Sequence, residues 1–318
     1  MRFESHRYQL FFSGYYGTVG QKSYREGALL KIFFKDGIVG YCDCHPWVEL
    51  GDLPLSQQLS SLASGQITPL LHSSLRFARL DAEARKNSQS LFDDLQIPPS
   101  HQIVSVEDEL TEYVREGISR FKLKTGKNKD GEIAAMSSWI EAHPTIKFRL
   151  DFNERLQRDS FLRYYEAIPI PVQEAIEFIE DPYFYSPKNW IRDQQDHQVS
   201  FAADKQSAQA LIDQTTAPFV IYKPAVEYYE TIPKTIQLIV TTYLDHPLGQ
   251  MGAAYTAAKM KSKFPDQIKT CGLLSHVCYQ KDPFLNEVKN KGPFLMPTTG
   301  IGLGFNDLLE VLPWKKMS

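Results

Sequence analysis

The rhythm of apolar and polar positions changes near residue 98. Before it, Tyr8-Gln9-Leu10-Phe11-Phe12 and Ala28-Leu29-Leu30-Lys31-Ile32-Phe33-Phe34 are apolar runs that predict strands. Lys35-Asp36-Gly37 carries the Asp-Gly pair favoured in hairpin turns, ahead of a third strand from Ile38 to Cys42. Between the first two strands, residues Ser13 to Gly20 are rich in glycine and tyrosine, which suits either a lid or a long turn with exposed rings. Beyond Pro54 the spacing is helical, and Leu75, Ala78, Arg79, Ala82 and Arg85 predict a helix over Ser74 to Ser88. Ile97-Pro98-Pro99-Ser100 then breaks the chain. This predicts an α+β domain over residues 1–98.

From residue 99 to 292 the pattern alternates strand and helix. Strands are expected at Ile103-Val104, Phe121–Lys124, Lys147–Asp151, Ile176–Glu180, Val199–Asp204, Phe219–Lys223 and Leu238–Tyr243, with an eighth over Ile268–Leu274. Helices are expected over Val106–Glu116, Gly131–Ala142, Ser160–Ile168, Pro187–Asp196, Lys205–Gln214 and Gln250–Phe264. Such alternation predicts an α/β fold, a modified (β/α) barrel of the TIM type, with the N-terminal domain as its cap. Residues 293–318 lack another strand-helix unit and are expected to complete the cap.

Five of these strands end in one ionisable residue. Lys124, Asp151, Glu180, Asp204 and Lys223 follow each other at 27, 29, 24 and 19 positions, about one strand-helix unit each. A barrel gathers the C-terminal ends of its strands on one face, so three carboxylates would stand between two ammonium groups. In Lys122-Leu123-Lys124 the lysines share a strand face, and neighbouring like charges lower each other's proton affinity unless anions lie nearby, which makes a lysine a usable base. Taken alone, the stretch is equally a solvated face with two surface lysines. Three clustered carboxylates repel unless a cation joins them, and an all-oxygen set suits Mg²⁺ better than zinc. The expected chemistry is proton abstraction next to a carboxylate, with magnesium stabilising the enediolate.

Composition narrows the partners. A net charge of -3 without a basic run speaks against nucleic acid or an anionic membrane, leaving a small-molecule carboxylate. No apolar run approaches the roughly 20 residues of a membrane span, and the opening Met1–His6 has no signal-peptide pattern, so the expected location is cytoplasmic. Four cysteines make no disulfide framework in a chain of this size, and Cys42-Asp43-Cys44-His45 lacks the paired spacing of a structural zinc site. Gly300-Ile301-Gly302-Leu303-Gly304 lies outside any βαβ unit and is set aside as a dinucleotide loop.

On Lys122-Leu123-Lys124, Arg149-Leu150-Asp151-Phe152-Asn153, Glu180-Asp181-Pro182, Ala203-Asp204 and Lys223-Pro224, nearly the whole chain resembles the enolase superfamily. Cys44–Asp52 is similar to a cap segment of its o-succinylbenzoate synthase family. The resemblance implies Asp151, Glu180 and Asp204 as ligands of Mg²⁺, with Mn²⁺ as a substitute. It implies Lys124 as base and then acid, and Lys223 as electrostatic support of the enediolate. Lys122, Arg149, Asn153 and Thr242 are implied as substrate-binding or supporting residues, Arg149 either orienting substrate or Lys124 or pairing with a ligand carboxylate. The implied activity is that of a carbon-oxygen hydro-lyase of menaquinone biosynthesis, the syn dehydration of 2-succinyl-6-hydroxy-2,4-cyclohexadiene-1-carboxylate. N-acylamino-acid racemisation and dipeptide epimerisation are the alternatives, the latter disfavoured because Lys269–His276 holds no Asp-x-Asp pair. Lys205 departs from the pattern, since many relatives carry an acid after the third ligand. His246 is expected to be a loop residue with a substrate-contact option.

Overall fold

The structure is a computed structural model that describes residues 1–13 and 23–317. The segment read as a lid or long turn lies, after Ser13, outside the described residues. The first domain is an antiparallel meander of β1 (Arg2–Phe11), β2 (Tyr24–Phe33) and β3 (Val39–Cys44), followed by α1 (Leu55–Ala63) and α2 (Pro69–Lys86). The expected hairpin forms between β2 and β3, with Gly37 at φ 83° and the Phe34 N–H donating to Ile38 O at 3.0 Å. Alternate residues Ala28, Leu30 and Ile32 of β2 join Cys42 and Cys44 of β3 against Leu59, Leu62, Leu71 and Phe77 of the helices. Thr68 starts α2 by accepting the Leu71 N–H at 3.2 Å, with Pro69 in the first turn.

Close approach of α2 to β3 requires Gly40. A Cβ there would lie 1.9 Å from Ala78 O and 2.8 Å from Ala82 Cβ. Gly40→Ala is therefore expected to push the helix off the sheet at a cost of about 1–3 kcal/mol. A thermal melt would show it, and an unchanged midpoint would mean that the two elements slide apart freely.

The second domain runs β4 (Gln102–Val104), α3 (Thr111–Arg115), β5 (Arg120–Lys124), α4 (Lys129–Ala142), β6 (Lys147–Asp151), α5 (Arg158–Glu166), α6 (Ile170–Ala175), β7 (Ile176–Glu180), α7 (Pro187–His197), β8 (Phe201–Ala203), α8 (Ser207–Asp213), β9 (Phe219–Tyr222), β10 (Gln237–Val240) and α9 (Pro247–Lys263). Strands β4 to β10 form one parallel sheet in chain order. Its ends meet through the expected eighth strand, which forms bridges rather than a ladder. Ile268 pairs with Leu238, Gly272 with Thr241, and Cys271 with Ser100 ahead of β4. Phe178, Ala202, Ile221 and Ile239 fill the barrel, while Phe121, Leu123, Phe148, Leu150 and Ile179 face the helices.

The helices depart from expectation in places, and α2 begins at Pro69 rather than Ser74. Instead of Val106–Glu116, only Thr111–Arg115 is helical, because the Asp108 carboxylate takes the Ser105 N–H at 2.7 Å and turns the chain. The short α6 had no signal beyond Pro171 in its first turn. The chain closes with α10 (Pro283–Glu287), β11 (Asn290–Lys291), β12 (Phe294–Leu295), α11 (Asn306–Val311) and β13 (Lys315–Lys316). β13 pairs antiparallel with β1. The glycine run before α11 is a joint: Gly300, Gly302 and Gly304 all have positive φ, Leu303 N–H donates to Asp81 of α2 at 2.7 Å, and Arg85 donates to Gly304 O at 2.9 Å.

Candidate active site

Parity along the strands builds the site. Lys122 and Lys124 of β5 share the inward face, as do Arg149 and Asp151 of β6, and the ladder sets Lys124 opposite Asp151 and Asp151 opposite Glu180. Asp204 and Lys223 follow the last residues of β8 and β9. Lys122 Nζ lies 2.7 and 2.8 Å from the two oxygens of Glu180 and 3.0 Å from Asp151 Oδ2. Lys223 Nζ donates to Asp204 Oδ2 at 2.6 Å. All five predicted strand-end charges, with Lys122, thus stand in one row at the barrel mouth.

The charges tune one another. Burial disfavours the Lys122 ammonium, yet Asp151 and Glu180 outweigh it and raise its pKa. Burial also opposes the charge on Lys223, and Asp204 reverses the sign there too. Lys124 goes the other way: burial lowers its pKa, Asp151 only partly compensates, and Lys122 adds to the lowering. The repulsion expected from sequence therefore acts on Lys124, where it is secondary to burial, while the carboxylates beside Lys122 raise that lysine instead. On the carboxylate side, burial and then Asp151 push Glu180 up to about 7 against the pull of Lys122. Asp151 is held low because Lys122 and Lys124 overcome its burial.

Among the described residues, no three His, Cys, Asp or Glu side chains close around a common point as a metal requires. Two ammonium groups intervene, and their positions show what the carboxylates recruit. Asp151, Glu180 and Asp204 offer only oxygens, each within 3.0 Å of a cationic nitrogen, so the donor set fits a hard divalent cation taking the place of that positive charge.

Supporting residues hold the row. Asn153 donates through Nδ2 to Asp151 Oδ1 at 2.7 Å. Asp181, a motif position given no role in the sequence, accepts the backbone N–H groups of Asp204 and Lys205 at 3.0 and 3.1 Å. Lys205 reaches Asn153 O at 2.9 Å and Glu154 at 3.1 Å, tying the loops after β6 and β8 together. Glu227 takes the Lys223 N–H at 2.8 Å and hydroxyl hydrogens from Ser207 and Tyr229.

Other candidates lie elsewhere. Arg149 is fully buried below the row and pairs with Glu177 at 2.8 Å, not with a ligand carboxylate, while its other hydrogen bonds reach His101 and Thr270 O. A bulge places Ile176 opposite Phe148 but Phe178 opposite Arg149, which turns Glu177 inward where strict alternation would turn it out. Thr242 is buried after β10, its N–H on Gly272 O at 3.2 Å. His246 lies in the loop between β10 and α9, as expected, but is buried there. It caps α9 by accepting the Leu248 N–H at 3.2 Å, donates its own N–H to Asp43 at 3.0 Å, and packs between the Tyr8 and Phe284 rings. Cys42 and Cys44 are free and buried in the cap core, and His45 shares the Tyr8 hydroxyl with Asp43. Trp47 bridges cap and barrel through Nε1 to Tyr243 O at 2.8 Å.

The fold is that of the muconate lactonizing enzymes, racemases and epimerases. It matches a dipeptide epimerase from Enterococcus faecalis complexed with Mg and L-Leu-L-Tyr (TM-score 0.74, 17% identity, 95% of this chain and 98% of that one). It also matches the muconate lactonizing enzyme of Pseudomonas putida (TM-score 0.67, 14% identity, 95% of each chain). Sequence goes further: residues 3–84 match the family described as O-succinylbenzoate synthase, N-terminal domain. An o-succinylbenzoate synthase from Bdellovibrio bacteriovorus is 34% identical over 306 residues, 92% of each chain. The chain belongs to the o-succinylbenzoate synthase family, a family of carbon-oxygen hydro-lyases. Among the described residues, no helix is long and apolar enough to cross a membrane.

Proposed function

We propose that the protein dehydrates 2-succinyl-6-hydroxy-2,4-cyclohexadiene-1-carboxylate to o-succinylbenzoate, as a cytoplasmic step of menaquinone biosynthesis. The observation that supports this reading is the opposite tuning of two lysines along one row of carboxylates, Lys124 lowered and Lys223 raised. Asp151, Glu180 and Asp204 would hold Mg²⁺, which when bound supplies positive charge to the substrate carboxylate. Lys124, its ammonium disfavoured by burial, takes the proton from the carbon that bears that carboxylate. It then returns the proton to the departing hydroxyl on the same face. One C–H and one C–O bond break, a ring double bond forms, and water leaves. Lys223 stays charged and offsets the negative charge that develops beside it.

N-acylamino-acid racemisation would draw on the same pair of lysines. It requires Lys223 to act as a second base on the face opposite Lys124. The test is turnover of the cyclohexadiene and of N-succinylamino acids across pH with Mg²⁺ added. On the diene, kcat/KM should rise as Lys124 loses its proton, at a pH below the ordinary lysine range, and then level off. Failure to form o-succinylbenzoate at any pH overturns the reading.

A further inference from the structure

A groove of about 210 Å³ begins at Lys124. Lys124 faces into the barrel and Leu123 faces the helices, so a groove that touches both crosses the rim between β4 and β5. Its inner walls are apolar, with Ile103, Leu244 and Cys278 belonging to one packed cluster. Its outer end carries two exposed charges, Glu107 on the loop after β4 and Lys127 on the loop after β5. Glu132 and Asn128, which also line it, are engaged. Glu132 accepts the N–H groups of Gly126, Lys127 and Asn128 and the Tyr164 hydroxyl, and Asn128 caps α4 through the Gly131 N–H. Among the described residues neither Glu107 nor Lys127 stands in an ion pair, so both side chains are available to a ligand at the rim.

We propose that this groove takes the part of the substrate farthest from the reacting carbon, a short acyl chain ending in a carboxylate, and that Lys127 reads this carboxylate against the repulsion of Glu107. The inference rests on the reading of Lys124 as the proton carrier. With the reacting carbon at Lys124, the groove that begins there is the adjoining space for a long substituent. Methylenes suit the apolar inner walls. A charged end belongs at the wetted rim, where the two loops offer one cation and one anion.

The variants Lys127→Gln and Glu107→Gln test it, since both residues are exposed and Gln keeps the Lys127 backbone bond to Glu132. With the diacid substrate, Lys127→Gln should raise KM about fivefold and Glu107→Gln should lower it about twofold, the size of single exposed charge contacts. With the methyl ester of the tail, KM should be the same in all three proteins. Unchanged KM values on the diacid, or equal responses of acid and ester, overturn the groove assignment while leaving the dehydration intact. Wild-type protein that leaves the diacid untouched overturns the dehydration instead. Titration of the three proteins with o-succinylbenzoate then decides the groove on its own, and equal Kd values would refute it.

Discussion

Lys124→Ala is expected to lose about 10³-fold or more in kcat on the cyclohexadiene, about 4 kcal/mol of barrier, and to lose exchange of the substrate α-proton with solvent as well. Both effects follow if one amine carries the proton in and out on one face. Lys223→Ala should also fall, by about 10²- to 10³-fold, but for a different reason: a charge beside the developing anion is gone. Deuterium incorporation separates the two roles, because Lys223→Ala retains the proton carrier and should exchange slowly where Lys124→Ala does not exchange at all. For a racemase, each single-lysine variant would keep exchange for the one N-succinylamino-acid enantiomer facing its remaining lysine. That pattern, together with wild-type protein that leaves the diene untouched, would sink the dehydratase assignment.

Glu180→Gln should abolish the thermal stabilisation that Mg²⁺ gives and weaken its binding by about 100-fold or more, measured by calorimetry, while the protein without metal melts no lower than wild type. The second half follows from sign. Burial and Asp151 raise the Glu180 carboxyl to about 7, so its charged form costs stability above the pKa of an unfolded glutamate, and a neutral amide of the same shape escapes that cost. Gln can still accept from Lys122, which keeps Asp151 at 3.0 Å. Undiminished activity in chelator, or Mg²⁺ stabilisation of the variant equal to wild type, would remove Glu180 from the set of ligands.

The sequence by itself determined the strand-helix alternation, because apolar runs and their breakers are local, and the strand-end charges, because a period of two fixes which residues share a face. It also carried the family resemblance, through the motifs at its strand ends. It could not give the sign of each lysine's shift. That depends on the sum of the surrounding charges: burial is the largest single influence on all three lysines, and the carboxylates around Lys122 and Lys223 together overcome it, whereas at Lys124 they do not. Nor could strand parity place Glu177, since a bulge against β6 adds one residue and turns the side chain over to Arg149. His246 follows the seventh strand in a loop, where a contact residue could sit, yet the docking of β3 and Tyr8 buries it in the joint between cap and barrel. Asp181 carries a motif position in sequence, but its grip on the Asp204 and Lys205 amides exists only once β7 and β8 lie side by side. Face and period are properties of neighbours along the chain. Charge state, inward turn and partner are set by residues tens to hundreds of positions away, and only packing brings those together.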